Sequence, residues 1–304
     1  MTPSRSSSRL SPYLLLTLTP LFWAGNFVVG RAIRNDVPPI ALAFWRWAIA
    51  ALLLLPFAWP HLRGRWPLIR RQWRSLTLFS VLGVVCFNVF AYLGLQYTTA
   101  TNGVLLNSAI PILIIALNAI FLGNRPTPMQ ATGVALSLAG VLVIVAQGDI
   151  ALFSALTLNA GDVSVLAAVL AWAVYTILLK QRPMDLHPLA FLAVLTIIGV
   201  IVLLPLYLME LASGRHLILS GKAAMALAYV AIFPALLGYV FWNRGVAAVG
   251  PNRAGLFIHL MPVFGTLLSV LLLGERPKLF QIAGIGLIFM GIALTTRRKA
   301  GVFP

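Results

Sequence analysis

A chain of 304 residues that is 61% hydrophobic and only 9% charged, with a mean hydropathy of +0.97, does not fit a water-soluble domain, in which about a quarter of residues are charged. Its net charge of +16, from 22 Lys and Arg against 6 Asp and Glu, is scattered through short connections between apolar runs. That pattern fits contact with anionic lipid and excludes a nucleic-acid face.

Arg5 and Arg9 precede the first apolar run, as in a signal peptide, but the run is span-length and many more follow, so it reads as an uncleaved first helix. Membrane helices are predicted at Tyr13–Gly30, Ile40–Ala58, Ser75–Tyr97, Gly103–Leu122, Gln130–Gln147, Gly161–Leu179, Pro188–Met209, Ala223–Val249, Ala254–Leu273 and Phe280–Thr296. Tyr97–Asn102 and Gly250–Arg253 separate spans that otherwise run together, and Pro38–Pro39, Pro126–Pro128 and Pro183 punctuate other connections. Backbone groups in lipid must pair within their own segment, and these runs are too long for barrel strands. The expected fold class is all-α integral membrane, with ten transmembrane helices.

Arg63, Arg65, Arg70, Arg71 and Arg74 all fall in the second-to-third connection, on the same predicted side as Arg5, Arg9, Arg297, Arg298 and Lys299. The positive-inside rule then places both termini in the cytoplasm. Cys86 is the single cysteine, so an intrachain disulfide is excluded.

The sequence repeats itself. Leu122-Gly-Asn-Arg-Pro126 matches Leu273-Gly-Glu-Arg-Pro277 at a spacing of 151, which also pairs Gly94 with Gly245, Pro111 with Pro262, Gln130 with Gln281, Gly133 with Gly284 and Gly140 with Gly291. Shared apolar composition alone would not keep Gly and Pro in register. Earlier segments match at 149, through Trp23-Ala24 with Trp172-Ala173 and Pro56 with Pro205. The expected units are residues 12–147 and 161–296, five spans each. An odd number of spans starts the second half on the opposite side of the membrane, so the halves are inverted repeats, as alternating access needs.

With Phe22-Trp-Ala-Gly-Asn26, Phe44-Trp-Arg46 and the paired Leu-Gly-x-Arg-Pro turns, the chain resembles the drug/metabolite transporter superfamily, in its ten-helix form with two EamA domains. The resemblance implies that superfamily's fold and a bacterial inner-membrane exporter, nearest in texture to YddG-type aromatic amino acid exporters. Asn124 stands where the family often has Glu.

Arg46 is the sharpest site candidate, a charge well inside an apolar helix, where it is costly unless it reaches water or a partner. It either faces a cavity and attracts a carboxylate, or snorkels or packs at a gate. Asn88, Tyr92, Tyr97 and Asn102 in the first half, Tyr239, Trp242 and Asn243 in the second, and Trp23, Asn26, Trp172 and Tyr175 are expected around a central cavity. There, aromatic rings would stack on a ring-bearing solute and Asn and Tyr would hold polar groups. The alternatives are interfacial belts and helix–helix hydrogen bonds. Pro111 and Pro262 predict matched kinks, His259 beside the second is read first as a core residue, and glycines seven apart predict close helix packing.

The six acids, Asp36, Asp149, Asp162, Asp185, Glu210 and Glu275, are all expected near loops, and His61, His187 and His216 form no ligand cluster. With no phosphate-binding loop and no paired intramembrane carboxylates, neither an enzyme, a metal site, a cofactor nor an ATP-driven pump is expected. The expected partners are membrane lipids and a small-molecule solute, an amino acid or related metabolite. Other metabolites, organic cations, a lipid scramblase or a structural membrane role stay open, as do monomer and homodimer.

Overall fold

The computed structural model describes residues 11–149, 159–181, 185–273 and 278–296, apart from the side chains of 100–102, 104 and 269–273. All regular structure among them is helical. The first half comprises α1 (Pro12–Ala32), α2 (Pro39–Leu62), the short α3 (Trp66–Arg71), α4 (Trp73–Ser80), α5 (Phe87–Tyr97), α6 (Ala100–Asn107), α7 (Ile110–Leu122) and α8 (Pro128–Val145). The second comprises α9 (Ala160–Leu178), α10 (Pro188–Ala212), α11 (Gly221–Val230), α12 (Gly238–Val249), α13 (Pro251–Leu256), α14 (Leu260–Leu273) and α15 (Leu279–Thr296). Nine helical segments among the described residues are long and apolar enough to cross a membrane. The ninth predicted span is instead three abutting pieces, α13, a 3-10 turn at Phe257–His259 and α14, the longest of 14 residues.

Both predicted kinks are present. The turn at Ser108–Ala109 between α6 and α7 and the 3-10 turn ending at His259 fall at equivalent positions, each three residues before the proline whose missing N–H leaves a carbonyl unpaired. A second matched irregularity has no proline in the first copy. Turns of π-helix occupy Val81–Cys86, joining α4 to α5, and Ala231–Leu237, joining α11 to α12.

The recurring turn motif also has a local cause. Gly123 adopts φ 67 at the end of α7, a left-handed conformation that glycine enters without steric cost. Thr127 and Gln130 then form a reciprocal capping box that starts α8. In the second copy the Gln281 side chain likewise accepts from Lys278 N, at 2.8 Å. Most of that copy's turn, at 274–277, lies outside the described residues.

Packing shows that the halves are inverted. A Cβ placed on Gly133 would lie 2.6 Å from Gly291 O, and one on Gly140 would lie 2.5 Å from Gly284 O. These two contacts exchange under the 151-residue repeat and run in opposite senses along α8 and α15. Two equivalent helices therefore cross antiparallel on the pseudo-twofold axis, and the glycine spacing serves this pairing between halves. The same rule holds for α2 and α10. His61 at the end of α2 stacks on His187 at the start of α10, with ring centroids 3.6 Å apart. At their other ends, the Glu210 carboxylate accepts from Ile40 N and Ala41 N at 3.2 and 2.7 Å, an acid at a helix N-terminus where the dipole favours it. The first helix of each half packs on the third segment of the other. Added Cβ atoms would press Gly94 onto Val165 and Gly245 onto Leu16, again an equivalent pair.

Candidate solute site between the halves

The centre of the molecule lies where α1, α2, α5 and α6 of the first half meet α9, α12 and the kinked 257–260 segment of the second. Arg46 is buried, 1% exposed, so it does not snorkel. Its Nη1 donates to Asn26 Oδ1 at 3.0 Å and to Tyr92 Oη at 2.7 Å. Tyr92 in turn donates to Asn26 Oδ1 at 2.8 Å, closing a triangle across α1, α2 and α5. The guanidinium also lies 5.4 Å from the Trp47 ring centroid, a cation–π contact of the desolvated kind. Its Nε has no acceptor among the described residues.

The second half repeats this arrangement with the residues exchanged. Asn26 corresponds to Tyr175 and Tyr92 to Asn243, and the Tyr175 hydroxyl donates to Asn243 Oδ1 at 2.9 Å. The equivalent of Arg46 is Leu195, fully buried. One geometric motif therefore carries a charge in one half and none in the other.

The two π turns face this centre and are tied across the halves. Trp23 Nε1 donates to Pro234 O at 3.0 Å, and the Tyr239 hydroxyl donates to Gly83 O. Gly83 and Pro234 are equivalent positions. Asn88 adds a bond from Nδ2 to Val84 O at 2.8 Å. A π turn shifts pairing to i→i+5, and aromatic and amide donors here take up carbonyls of that stretch.

Around this polar frame the predicted aromatic residues assemble. Trp23 meets Trp172 edge-on at 5.0 Å and Trp242 at 5.2 Å, and Tyr239 meets Trp172 at 5.1 Å and Trp47 at 4.7 Å between centroids. Edge-on and tilted geometries are those favoured by aromatic quadrupoles. Between the rings and Arg46 lies a cavity walled by three repeat-equivalent pairs, Trp23 with Trp172, Asn107 with Ile258 and Ile110 with Met261, together with Asn26, Phe27, Arg46 and Phe87. It therefore straddles the pseudo-twofold axis. Its free volume is about 10 Å³, enough for about one water and far below the roughly 300–1,000 Å³ of typical ligand sites. The expected lining residues are brought together, but the rings fill the centre and close it.

Of the sequence candidates, Trp23, Asn26, Arg46 and Trp172 line this cavity, while Tyr92, Tyr175, Tyr239, Trp242, Asn243 and Asn88 form its supporting layer through the bonds above. Tyr97 is misplaced. It is 71% exposed and lines a separate polar pocket of about 360 Å³ with Arg34, Gln96, Arg215 and His216, because α5 carries it a full turn beyond Tyr92 toward the helix end. The Asn102 side chain lies outside the described residues. His259 is buried and joins the halves, its Nδ1 2.6 Å from Ser137 Oγ and its Nε2 3.0 Å from Ser108 O, the equivalent residue of the other half. Trp47, Asn107, Ile258 and Met261 were not among the sequence candidates. The repeat register was the available signal for Asn107 and Ile258, since each lies four residues before a matched proline.

The described acids sit at helix ends or in connections, as expected, though two are buried, and Glu275 lies outside the described residues. Glu210 caps α2 from α10, and Asp162 closes a capping box at the start of α9 while its Oδ1 accepts from Thr98 Oγ1 at 2.5 Å.

The model of the EamA-like transporter family matches residues 10–146 and again 159–297, nearly the whole chain. The chain belongs to the EamA-like transporter family. This EamA-like protein is 30% identical to an uncharacterized transporter of Archaeoglobus fulgidus over 288 residues, covering 94% of this chain and 98% of that one. It is 28% identical to the uncharacterized transporter YyaM of Bacillus subtilis, over 93% of this chain and 92% of the relative. A probable terminal-alkyne amino-acid exporter of Streptantibioticus cattleyicolor is 26% identical over 94% and 93% of the two chains. A solved crystal structure superposes with a TM-score of 0.76 at 19% identity, covering 95% of this chain and 97% of the other, which establishes a shared fold. The family consists of transporters, and this member is a multi-pass membrane protein.

Proposed function

We propose that the EamA-like protein exports small amphipathic solutes bearing a carboxylate, aromatic amino acids first among them, by alternating access between its inverted halves. The observation that carries this reading is the composition of the axial cavity. Among its lining residues Arg46 is the one charge, and the first half supplies it with Asn26 and Asn107, beside the apolar Trp23, Phe27, Phe87 and Ile110. The second half contributes Trp172, Ile258 and Met261. A solute with an anionic end and an apolar or aromatic end matches that polarity. Among the described residues Arg46 Nε is a buried charged donor without an acceptor, and an entering carboxylate would supply one. A buried donor left unpaired costs about 1–3 kcal/mol, more when charged, so the Arg46 guanidinium favours a carboxylate over a neutral or cationic solute.

The closed centre is read as an occluded arrangement. Opening it requires the rings to part, and the matched kinks and π turns supply the irregular backbone at which segments swing. The charge distribution supports a cell inner-membrane location with both termini cytoplasmic. The amino-acid exporter among the relatives agrees with the solute class.

The test is a substrate panel in proteoliposomes. Phenylalanine and tryptophan should exchange faster than alanine, and organic cations should not move. Flux of organic cations with no flux of any carboxylate would overturn the reading. Flipping of fluorescent lipid without solute flux would favour a scramblase instead.

A further inference from the structure

Away from the axis, the connection after α2 builds a second site. Gly64 adopts φ 73, a left-handed turn that lets the chain leave α2 and enter α3. Between α2, α3, α4 and α10 this leaves a groove of about 680 Å³. Its floor includes Val194, Ile197, Ile198 and Ile201 of α10, spaced i, i+3, i+4, i+7, one face of a helix over two turns. Arg63 and Arg70 stand in its wall. Trp59, Trp66 and Trp73, which are 54%, 70% and 56% exposed, also line it.

The surrounding sequence offers these charges little compensation. No Asp or Glu occurs in the sequence between Asp36 and Asp149, a stretch that holds Arg63, Arg65, Arg70, Arg71 and Arg74. Arg63 instead lies over the Trp59 ring at 5.7 Å and Arg74 over the Trp73 ring at 5.6 Å. An apolar stripe meeting arginines and tryptophans is the chemistry of the membrane boundary, where aromatic rings settle at headgroup level and basic residues attract anionic lipid. A free anion has no use for the isoleucine face. A zwitterionic lipid also carries a phosphate, but its own ammonium group offsets that charge, so it answers two guanidiniums less well than an anionic lipid does.

We infer that this groove holds one anionic phospholipid, its phosphate between Arg63 and Arg70 and an acyl chain along Ile197, Ile198 and Ile201. The lipid then fills the groove beside the antiparallel α2–α10 pair that joins the halves, and holds α3 against α10.

The purified full-length protein in detergent is titrated with phosphatidylglycerol brominated in its acyl chains, and tryptophan fluorescence is read. Saturable quenching is expected, at least tenfold tighter than with brominated phosphatidylcholine. Replacing Trp59, Trp66 and Trp73 together by Phe should remove most of the saturable signal. Each basic residue at an anionic surface is worth roughly fivefold in affinity, so R63Q/R70Q should raise the half-saturation point by about 25-fold. Both arginines are at the surface, and an unchanged elution profile checks the fold. Equal quenching by the two lipids, an unmoved half-saturation point in R63Q/R70Q, or displacement of the lipid by millimolar inorganic phosphate would each overturn the proposal, the last by identifying a free-anion site.

Discussion

The two halves hold the same hydrogen bond in the same place and make different environments from it. In the first, Asn26 on α1 accepts from Tyr92 on α5. In the second, Tyr175 on α9 donates to Asn243 on α12, so donor and acceptor have changed helices. Arg46 joins the first pair, and Leu195 stands in its place in the second. Pseudo-symmetry governs the backbone, including kinks, π turns and glycine contacts, and two equivalent packings are what the proposed alternation requires. The chemistry is under no such demand. The proposed solute, with unlike ends, is better held by unlike halves, and around Arg46 the halves do diverge.

The largest expected effect comes from erasing the difference. Arg46→Leu copies the second half's residue and leaves the Asn26–Tyr92 bond intact, removing two guanidinium bonds together with the buried charge whose desolvation they offset, so the protein should still elute as wild type does. Carboxylate flux should fall by about 100-fold, because a hydrogen bond to a charged group contributes roughly 1.5–3 kcal/mol. Retained binding with slow turnover, measured by equilibrium binding alongside flux, would instead assign Arg46 to gating.

The symmetric part of the comparison is tested on α8 and α15. Gly140→Val places a side chain where the Gly284 carbonyl oxygen already lies 2.5 Å from the Cβ position, and Gly291→Val, its repeat equivalent, does the same against the Gly133 carbonyl oxygen. Each should destabilise by about 2–3 kcal/mol, the upper range for overpacking, read as lost resistance to chemical unfolding in detergent. Similar losses are expected because the two contacts are equivalent. A loss at only one would break the pseudo-twofold account.

Much of this was legible in the sequence, and the boundary has a physical cause. The repeat was readable because glycines at a helix crossing and prolines at a kink are constrained by backbone geometry, which leaves residue identities in register. The aromatic and amide candidates were readable as a set because their helical spacing puts them on inward faces. Their pairing was not, since Arg46 with Tyr92 and His259 with Ser137 are contacts between segments far apart in the chain. The exchanged Tyr–Asn bond was hidden because register matching looks for like residues, and here unlike residues stand at equivalent positions. The π turns were hidden for the same reason, with Gly83 in one copy and Pro234 in the other.

A smaller effect separates the two tyrosines. Tyr175→Phe removes a bond between neutral groups and should cost about 1 kcal/mol. Tyr92→Phe also takes an acceptor from the Arg46 guanidinium, so it should cost about 2 kcal/mol, since bonds to charged groups are stronger. Unfolding midpoints of the two variants give the comparison directly. Equal costs would mean that Arg46 draws no support from Tyr92.

The smallest effect belongs to Tyr97, whose equivalent in the second half is Ala248. The tyrosine is 71% exposed, beside Arg34, Arg215 and His216 in a polar pocket distant from Arg46. With Ala standing at the matching position, the fold needs no ring there, and a mostly exposed hydroxyl has water as a partner in any case. Tyr97→Phe should therefore change stability by less than about 0.5 kcal/mol and leave the relative flux of aromatic and aliphatic amino acids unchanged. A shift in that ratio would extend the solute path into the polar pocket, and the unlike chemistry of the halves would then reach from the axis to the surface. An unchanged ratio confines the unlike chemistry to the residues around the axial cavity, where the two halves meet.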